Sequence, residues 1–170
     1  EAERQRAEAF RRRLEGARDE IAEKRRKVVV VPVEVERERV FDAWGKRDQF
    51  IQWMCPPGVT ITLMEIDVRV GGTWRIAGRN ESGRVFASSG AYVEIRRPER
   101  LVFTWGHHLE GDYGKPRGHE TTVRIELRTL SGGKTELTLI HGAFTDGFAQ
   151  HRQGWEGSFD KLAIFLGRAT

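Results

Sequence analysis

The hydrophobic positions of the chain change their spacing several times, and each spacing predicts a different element. Over residues 1–26 a thin apolar stripe runs through densely alternating acidic and basic residues. Its members are spaced by four, three and four: Phe10, Leu14, Ala17 and Ile21. This heptad-like spacing predicts a helix. A stripe of only about three heptads is marginal alone, so we expect it to pack on its own domain or on a partner subunit in a homodimer.

The next part reads as one strand followed by two short helices. The run KVVVVPVE, residues 27–34, is rich in β-branched residues and contains Pro32, which predicts a strand near a sheet edge. Apolar residues then recur at three- and four-residue spacings from Val40 to Trp53, interrupted at Gly45. This interruption predicts two helices joined by a kink. The prolines of CPPG then end the helical part.

From Gly58 onward, alternating apolar and polar residues predict six strands separated by turns. The predicted strands are Thr60–Val70, Thr73–Arg79, Val85–Arg96, Arg100–His107, Glu120–Leu130 and Thr135–His141. The connections are too short to contain crossover helices, so consecutive strands must be antiparallel. The longest connection, HLEGDYGKPRG over residues 108–118, predicts a loop and a candidate lid.

The last two strands also carry a prediction of register. Their apolar sets, which include Leu127 and Leu137, reach one face of the sheet only if the connection has an odd number of residues. We therefore expect a glycine bulge at Gly132 or Gly133. The same register places His141 about opposite Val123.

The final hydrophobic stretch, HRQGWEGSFDKLAIFLG over residues 151–167, predicts a long amphipathic helix. Residues at helical spacing share one face: Trp155, Phe159, Leu162 and Leu166. Beside them lie Gly154, Gly157 and Ser158, which are poor helix formers. We interpret these small residues as lowering the helix profile, either for close approach to the sheet or to leave room for a ligand. Together the elements predict an α+β fold with one long helix across a curved antiparallel sheet.

Composition and charge restrict the class of protein. The chain has 170 residues and a net charge of +4. Residues 1–27 hold ten basic and seven acidic residues, so the rest is nearly neutral, which argues against nucleic-acid binding. No stretch approaches the roughly 18 apolar residues of a membrane span, and the start does not read as a signal peptide. A single cysteine, Cys55, excludes an internal disulfide and fits a reducing compartment, so we expect a cytoplasmic protein.

Seven strings of the sequence, in this order, resemble the SRPBCC superfamily with its START-like, helix-grip fold: VFDAW, PPGVTI, VGGTWRI, PERLVFTW, ETTVRIEL, TELTLIHGAF and GWEGSFDKLAIFL. They are most similar to the branch named after the ATPase activator of the ninety-kilodalton heat-shock chaperone. The resemblance covers residues 28–167 and implies a curved seven-stranded antiparallel sheet wrapped around a long C-terminal helix. We therefore divide the chain into a charged helical extension, residues 1–26, and a START-like domain, residues 27–170. One departure is WMCPPG, where related sequences usually show a second tryptophan followed by glycine.

The resemblance implies a cavity for an apolar or amphipathic small molecule, but not its chemistry. Members of the superfamily bind lipids, polyketides or hormones, cyclise polyketides, or act as co-chaperones, and fold alone does not choose among these. We expect non-catalytic binding of an apolar or aromatic ligand, because the inward positions are rich in aromatic residues. The expected ligand contacts are Trp53, Met54, Trp74, Ile76, Phe103, Trp105, His107, His119, Thr121, Val123, His141, Trp155, Ser158 and Phe159. The alternatives are a polyketide cyclase-like enzyme and a chaperone-associated interaction module.

Histidines are the only candidate catalytic groups. His107, His119 and His141 fall on the inward parity of their strands, and each could act as a general acid or base or simply be a satisfied polar residue. The expected register separates His141 from His119 by about 13 Å, too far for a shared metal. Carboxylates that could join them if strands bulge are Glu65, Asp67 and Glu94. Cys55 has no nearby base in sequence, so we interpret it as structural. No motif predicts a cofactor.

Overall fold

The structure, a computed structural model, describes residues 27–109, 112–142 and 148–168, with side chains described over 32–108, 120–142 and 154–167. The predicted helix over residues 1–26, and with it the predicted dimer contact, lies outside this part of the chain.

The described elements follow the predicted order of one strand, two short helices, six strands and a long helix. They are β1 (Lys27–Val33), α1 (Arg37–Gly45), α2 (Arg47–Trp53), β2 (Val59–Ile66), β3 (Thr73–Asn80), β4 (Val85–Arg96), β5 (Arg100–Leu109), β6 (Asp112–Thr129), β7 (Thr135–Gly142) and α3 (Phe148–Arg168). A short 3-10 turn, Ser131–Gly133, joins β6 to β7. The α+β class and the kink after Gly45 are confirmed.

All seven strands form one antiparallel sheet in the order β1-β7-β6-β5-β4-β3-β2. β1 lies at an edge, as Pro32 predicts, because proline cannot donate to a second neighbouring strand. In the β6–β7 pair, His141 lies opposite Val123 and Leu137 opposite Leu127, which confirms the predicted register. Residues 130–134 connect the pair, and Gly132 and Gly133 both have positive φ.

The predicted loop and lid over residues 108–118 is wrong. β5 continues to Leu109, and β6 already begins at Asp112. The register between these strands shifts twice, so that Trp105 pairs with Thr121 but His107 pairs with Arg117. Extra residues of β6 are thus accommodated as irregularities within a long hairpin. β2 is shorter than predicted and ends at Ile66.

Alternation along the strands buries one face of the sheet under the helices. In β7, for example, Thr135, Leu137, Leu139 and His141 are fully buried while the intervening residues are half-buried. The opposite face carries ion pairs such as those of Arg100 with neighbouring strands, which are partly exposed and therefore contribute little to stability. Helix α3 packs on the buried face; within the described chain no helix is long and apolar enough to cross a membrane.

Candidate functional site

The space between the sheet and α3 is occupied by a set of contacting rings that we call the aromatic cluster. Its members are Trp44, Phe50, Trp53, Trp74, Phe103, Trp105, Trp155 and Phe159. Contacting rings have centroids 4.6 to 6.5 Å apart. None is more than 9% exposed. The structure thus brings together the six aromatic residues that the sequence singled out as ligand contacts, and they pack on one another.

The indole N–H groups of this cluster differ in their partners. Trp53 donates to the Ala43 carbonyl at 2.8 Å, Trp74 to the Thr104 carbonyl at 3.0 Å, and Trp155 to a histidine nitrogen at 3.1 Å. The Nε1–H groups of Trp44 and Trp105 are buried and have no hydrogen-bond partner among the described residues. An unpaired buried donor costs about 1–3 kcal/mol, so these two groups call for an explanation.

Gly90 on β4 makes the Trp74 hydrogen bond possible. A Cβ atom at Gly90 would overlap the Thr104 carbonyl oxygen and would lie 2.6 Å from Nε1 of Trp74. With glycine there, the indole crosses β4 and reaches β5. The Trp74 ring then rests 4.7 Å from the Trp105 ring, measured between centroids.

His141 is a fully buried link in a hydrogen-bond chain between α3 and the sheet. Trp155 donates to its Nδ1 at 3.1 Å, so the neutral ring carries its proton on Nε2. That Nε2–H lies 2.7 Å from Oγ1 of Thr121, whose hydroxyl donates to the Trp105 carbonyl at 3.1 Å. The chain joins α3, β7, β6 and β5. Protonation at Nδ1 would oppose two N–H groups and break the link to Trp155.

His107 also lies on the inner face of the sheet. Its Nδ1 is 3.0 Å from Oγ of Ser88 on β4, which is buried, whereas the His107 ring is half-buried. The centroid of Trp105 lies 6.0 Å from His107 and 5.8 Å from His141, so the two histidines flank one indole. His119 lies two residues after Arg117, the partner of His107 in β6, and its side chain is outside the described set.

The carboxylates that could have joined these histidines do not face them. Glu65, Asp67 and Glu94 have side chains 38 to 61% exposed and pair with arginines. Among residues with described side chains, no carboxylate is buried; the buried serines, threonines and histidines are Ser88, His108, Thr121, Thr135, His141 and Ser158. The described residues also contain no group of three His, Cys, Asp or Glu side chains that could hold a metal.

The small residues of α3 have separate roles. Ser158 is buried, and its hydroxyl donates to the Gly154 carbonyl at 2.9 Å, within the same helix. Gly157 faces the turn after α2, because a Cβ there would lie 2.9 Å from Cβ of Pro56. Gly154 has open space around its Cα. The close approach at Gly157 is therefore to the Pro56 turn.

The same turn holds Cys55, which is buried with a φ of 72°. Burial raises the pKa of its thiol to about 12, against a smaller opposing effect of Lys161. The Lys161 ammonium donates to the Cys55 carbonyl at 3.1 Å and so fixes the turn to α3. The thiol stays protonated near neutral pH and is no nucleophile. The neighbouring Met54 is likewise part of the core.

A cleft of about 380 Å³ lies elsewhere, between α1, α2 and the end of α3. It is lined by Arg39, Asp42, Asp48, Gln49, Gln52, Phe165 and Leu166. Burial raises the pKa of Asp42, but hydrogen bonds from Lys46 and Arg97 outweigh it and hold that pKa below its usual range. This cleft is polar and does not open between sheet and α3.

The chain matches the sequence model of a known protein family over most of its length. The sequence model described as activator of Hsp90 ATPase homolog 1-like protein (AHSA1) matches residues 34–167. The chain belongs to the AHSA1 family. This assignment confirms the resemblance stated from the sequence strings. A comparison with curated protein sequences finds no match.

Solved structures with the AHSA1-type fold are similar over most of this chain. Protein CV1439 from Chromobacterium violaceum has a TM-score of 0.73 and 25% identity, covering 84% of this chain and 97% of its own. The AHSA1 protein SPO3351 from Silicibacter pomeroyi has a TM-score of 0.73 and 26% identity, covering 85% and 99%. CalU16 from Micromonospora echinospora, with a TM-score of 0.61, 21% identity and coverage of 83% and 75%, shows the fold alone.

Two residues of this AHSA1 domain were missed by sequence reasoning. Ser88 occupies an inward position of β4, and alternation with Tyr92 could have identified it as a neighbour of β5. Trp44 lies on the buried side of α1, so its burial was predictable. That its N–H is unpaired depends on three-dimensional placement and has no sequence signal.

Proposed function

We propose that this AHSA1 domain binds an apolar or aromatic small molecule between the inner face of the sheet and α3, without catalysing a reaction. The observation that carries the proposal is the pair of buried indole donors, Trp44 and Trp105, that have no partner in the part of the chain that the structure describes. Mostly apolar walls with a few polar groups are typical of small-molecule sites. A ligand oxygen beside such a donor would remove the cost of leaving it unpaired.

The proposed contacts are the residues named from the sequence: Trp53, Met54, Trp74, Ile76, Phe103, Trp105, His107, His119, Thr121, Val123, His141, Trp155, Ser158 and Phe159. Because the rings of the aromatic cluster contact one another, a ligand must displace some of them. Phe86 and His107 are inner-face residues with half-buried side chains. We place ligand access beside them.

Membership of the AHSA1 family and the helix-grip fold support a ligand-binding role at the level of the superfamily. A histidine-dependent enzyme has less support, because both ring nitrogens of His141 have hydrogen-bond partners. His107 pairs with Ser88, and the carboxylates named above are on the surface. The described interior therefore offers neither histidine a carboxylate to complete an acid–base pair.

A protein-interaction role is the second candidate. The closed ring contacts of the aromatic cluster favour it, as does the family description as Hsp90 ATPase activator homologs. Large hydrophobic residues exposed in the described part are Val70, Val93 and Ile164. An interaction module needs a filled core and a contiguous exposed apolar patch, so these scattered residues add little to the support from the core and the family.

Native mass spectrometry of the protein purified from its own host tests the proposal. We expect an additional mass that dissociates on denaturation and has the composition of one small organic molecule. In parallel, acetylnaphthalene should quench tryptophan emission in a saturable manner, since all five tryptophans of the chain lie in or beside the proposed site. Absence of both a bound mass and saturable quenching would leave the interaction module as the better account.

A further inference from the structure

The chemical class of the ligand can be inferred if the site is the one proposed above; this inference rests on the proposed function. We infer that the ligand is an uncharged aromatic or apolar molecule with one oxygen acceptor, and that this oxygen accepts a hydrogen bond from Nε1–H of Trp105. A carbonyl, as in an aryl ketone, aldehyde or quinone, has this chemistry.

Trp105 is an inner-face residue whose indole N–H donates a hydrogen bond to no described group. It lies on β5, is 9% exposed, and its ring contacts Trp74 at 4.7 Å and Trp155 at 5.5 Å between centroids. Both neighbours direct their N–H groups to acceptors on the protein, Thr104 and His141. The backbone carbonyl of Trp105 is likewise bonded, to Thr121. Its indole N–H has no partner among the described residues, so it is the group left to recognise a ligand atom.

The second unpaired donor, Trp44, is placed differently. It belongs to α1, is 2% exposed, and is enclosed by rings that include Phe50 and Trp53. Trp105 instead adjoins His107, whose half-buried side chain marks the proposed access. A ligand that enters beside His107 meets Trp105 first. We therefore assign the recognition of the ligand oxygen to Trp105.

The charges of the side chains around the site determine whether it accepts a neutral or an ionised ligand. Among the described side chains, no buried lysine, arginine, aspartate or glutamate lies between sheet and α3, and the buried polar groups there are hydroxyls, imidazoles and indole N–H groups. An ionised carboxylate or ammonium placed there would lose its hydration without gaining a counter-ion. A neutral carbonyl loses less hydration and satisfies the indole donor. The described walls thus fit a neutral acceptor.

Three matched probes test this inference on the full chain by calorimetry: acetylnaphthalene, ethylnaphthalene and naphthoate, substituted at the same ring position. We expect acetylnaphthalene to bind about tenfold more tightly than ethylnaphthalene, the effect of one neutral hydrogen bond, and naphthoate to bind more weakly than the ketone. The Trp105→Phe variant should bind acetylnaphthalene no more tightly than it binds ethylnaphthalene. The control Trp44→Phe removes the other unpaired indole donor, which is not among the proposed ligand contacts, so it should leave the ratio of the two affinities unchanged.

An NMR measurement on the unaltered protein guards against a variant that does not fold. Acetylnaphthalene should shift the indole N–H resonance of Trp105 more than those of the other tryptophans, and ethylnaphthalene should not. Equal affinities for ketone and hydrocarbon, a ratio that survives Trp105→Phe, or tightest binding of naphthoate would each overturn the inference while leaving ligand binding intact. Failure of all three probes to bind would instead overturn the proposed function.

Discussion

Replacing Gly90 with alanine should destabilise the domain strongly for a steric reason. A Cβ at this position would overlap the carbonyl oxygen of Thr104 on the adjacent strand and would lie 2.6 Å from Nε1 of Trp74. The first contact is with backbone, which cannot rotate away, and the second displaces an indole that is hydrogen-bonded to the same carbonyl. Both β4 and the Trp74 ring must therefore move.

The magnitude follows from these two contacts. Overpacking of a closed core costs about 1–3 kcal/mol, and leaving the Trp74 N–H unpaired adds about 1–3 kcal/mol. We expect the free energy of unfolding to fall by about 2–6 kcal/mol. For a domain of this size, each 1 kcal/mol lowers the melting temperature by about 2–4 °C.

Urea unfolding followed by far-ultraviolet circular dichroism measures this change without relying on tryptophan emission. Gly154→Ala provides the matched control, because among the described residues no atom beyond the adjacent helix backbone lies within 4 Å of a Cβ built there, and the residue is within α3. Alanine in that helix should stabilise the protein by up to about 1 kcal/mol. If Gly90→Ala changes stability by less than about 0.5 kcal/mol, the steric argument for Gly90 is wrong.

Three further predictions concern Cys55, Ser158 and the N-terminal segment. Because burial raises the pKa of Cys55 to about 12 from 9.0, its contribution to stability is complete below pH 9 and is lost as pH rises toward the folded pKa. Urea unfolding should show a loss of about 1 kcal/mol between pH 8 and 10 that is absent from Cys55→Ala; identical pH profiles would contradict this. Ser158→Leu enlarges a buried inward residue, so acetylnaphthalene affinity should fall at least about tenfold while stability falls by no more than about 2 kcal/mol; unchanged affinity would argue against a site beside Ser158. Deleting residues 1–26 should leave the domain folded and change its elution on size exclusion, and unchanged elution would defeat the dimer prediction.

Element order and register were predictable from sequence because each depends on local periodicity. The alternation of Leu127 and Leu137 with polar neighbours determines which face each strand buries, and that face in turn dictates an odd connection. The opposition of Val123 and His141 follows from the same counting. The register of a strand pair can be predicted in this way wherever one face of each strand is buried and the other is exposed to solvent.

Prediction failed where turn-forming residues lie within strands. The glycines and proline of residues 108–118 suggested a loop, but β6 already runs through most of this stretch with shifts of register. Glycine and proline mark bulges as readily as loops, and sequence alone does not separate the two. The contact of Gly157 with Pro56 was not predicted either, because Pro56 belongs to a turn that is distant in sequence.

The pairing of β1 with β7 sets the order in which this domain can be completed during synthesis. β1 has one neighbour in the sheet, and that neighbour ends at Gly142. Until this part of the chain has left the ribosome, β1 has no strand to pair with, and its β-branched run remains an unprotected edge. Closing so long a loop is slow. The nascent chain therefore exposes an aggregation-prone segment until β7 has been synthesised.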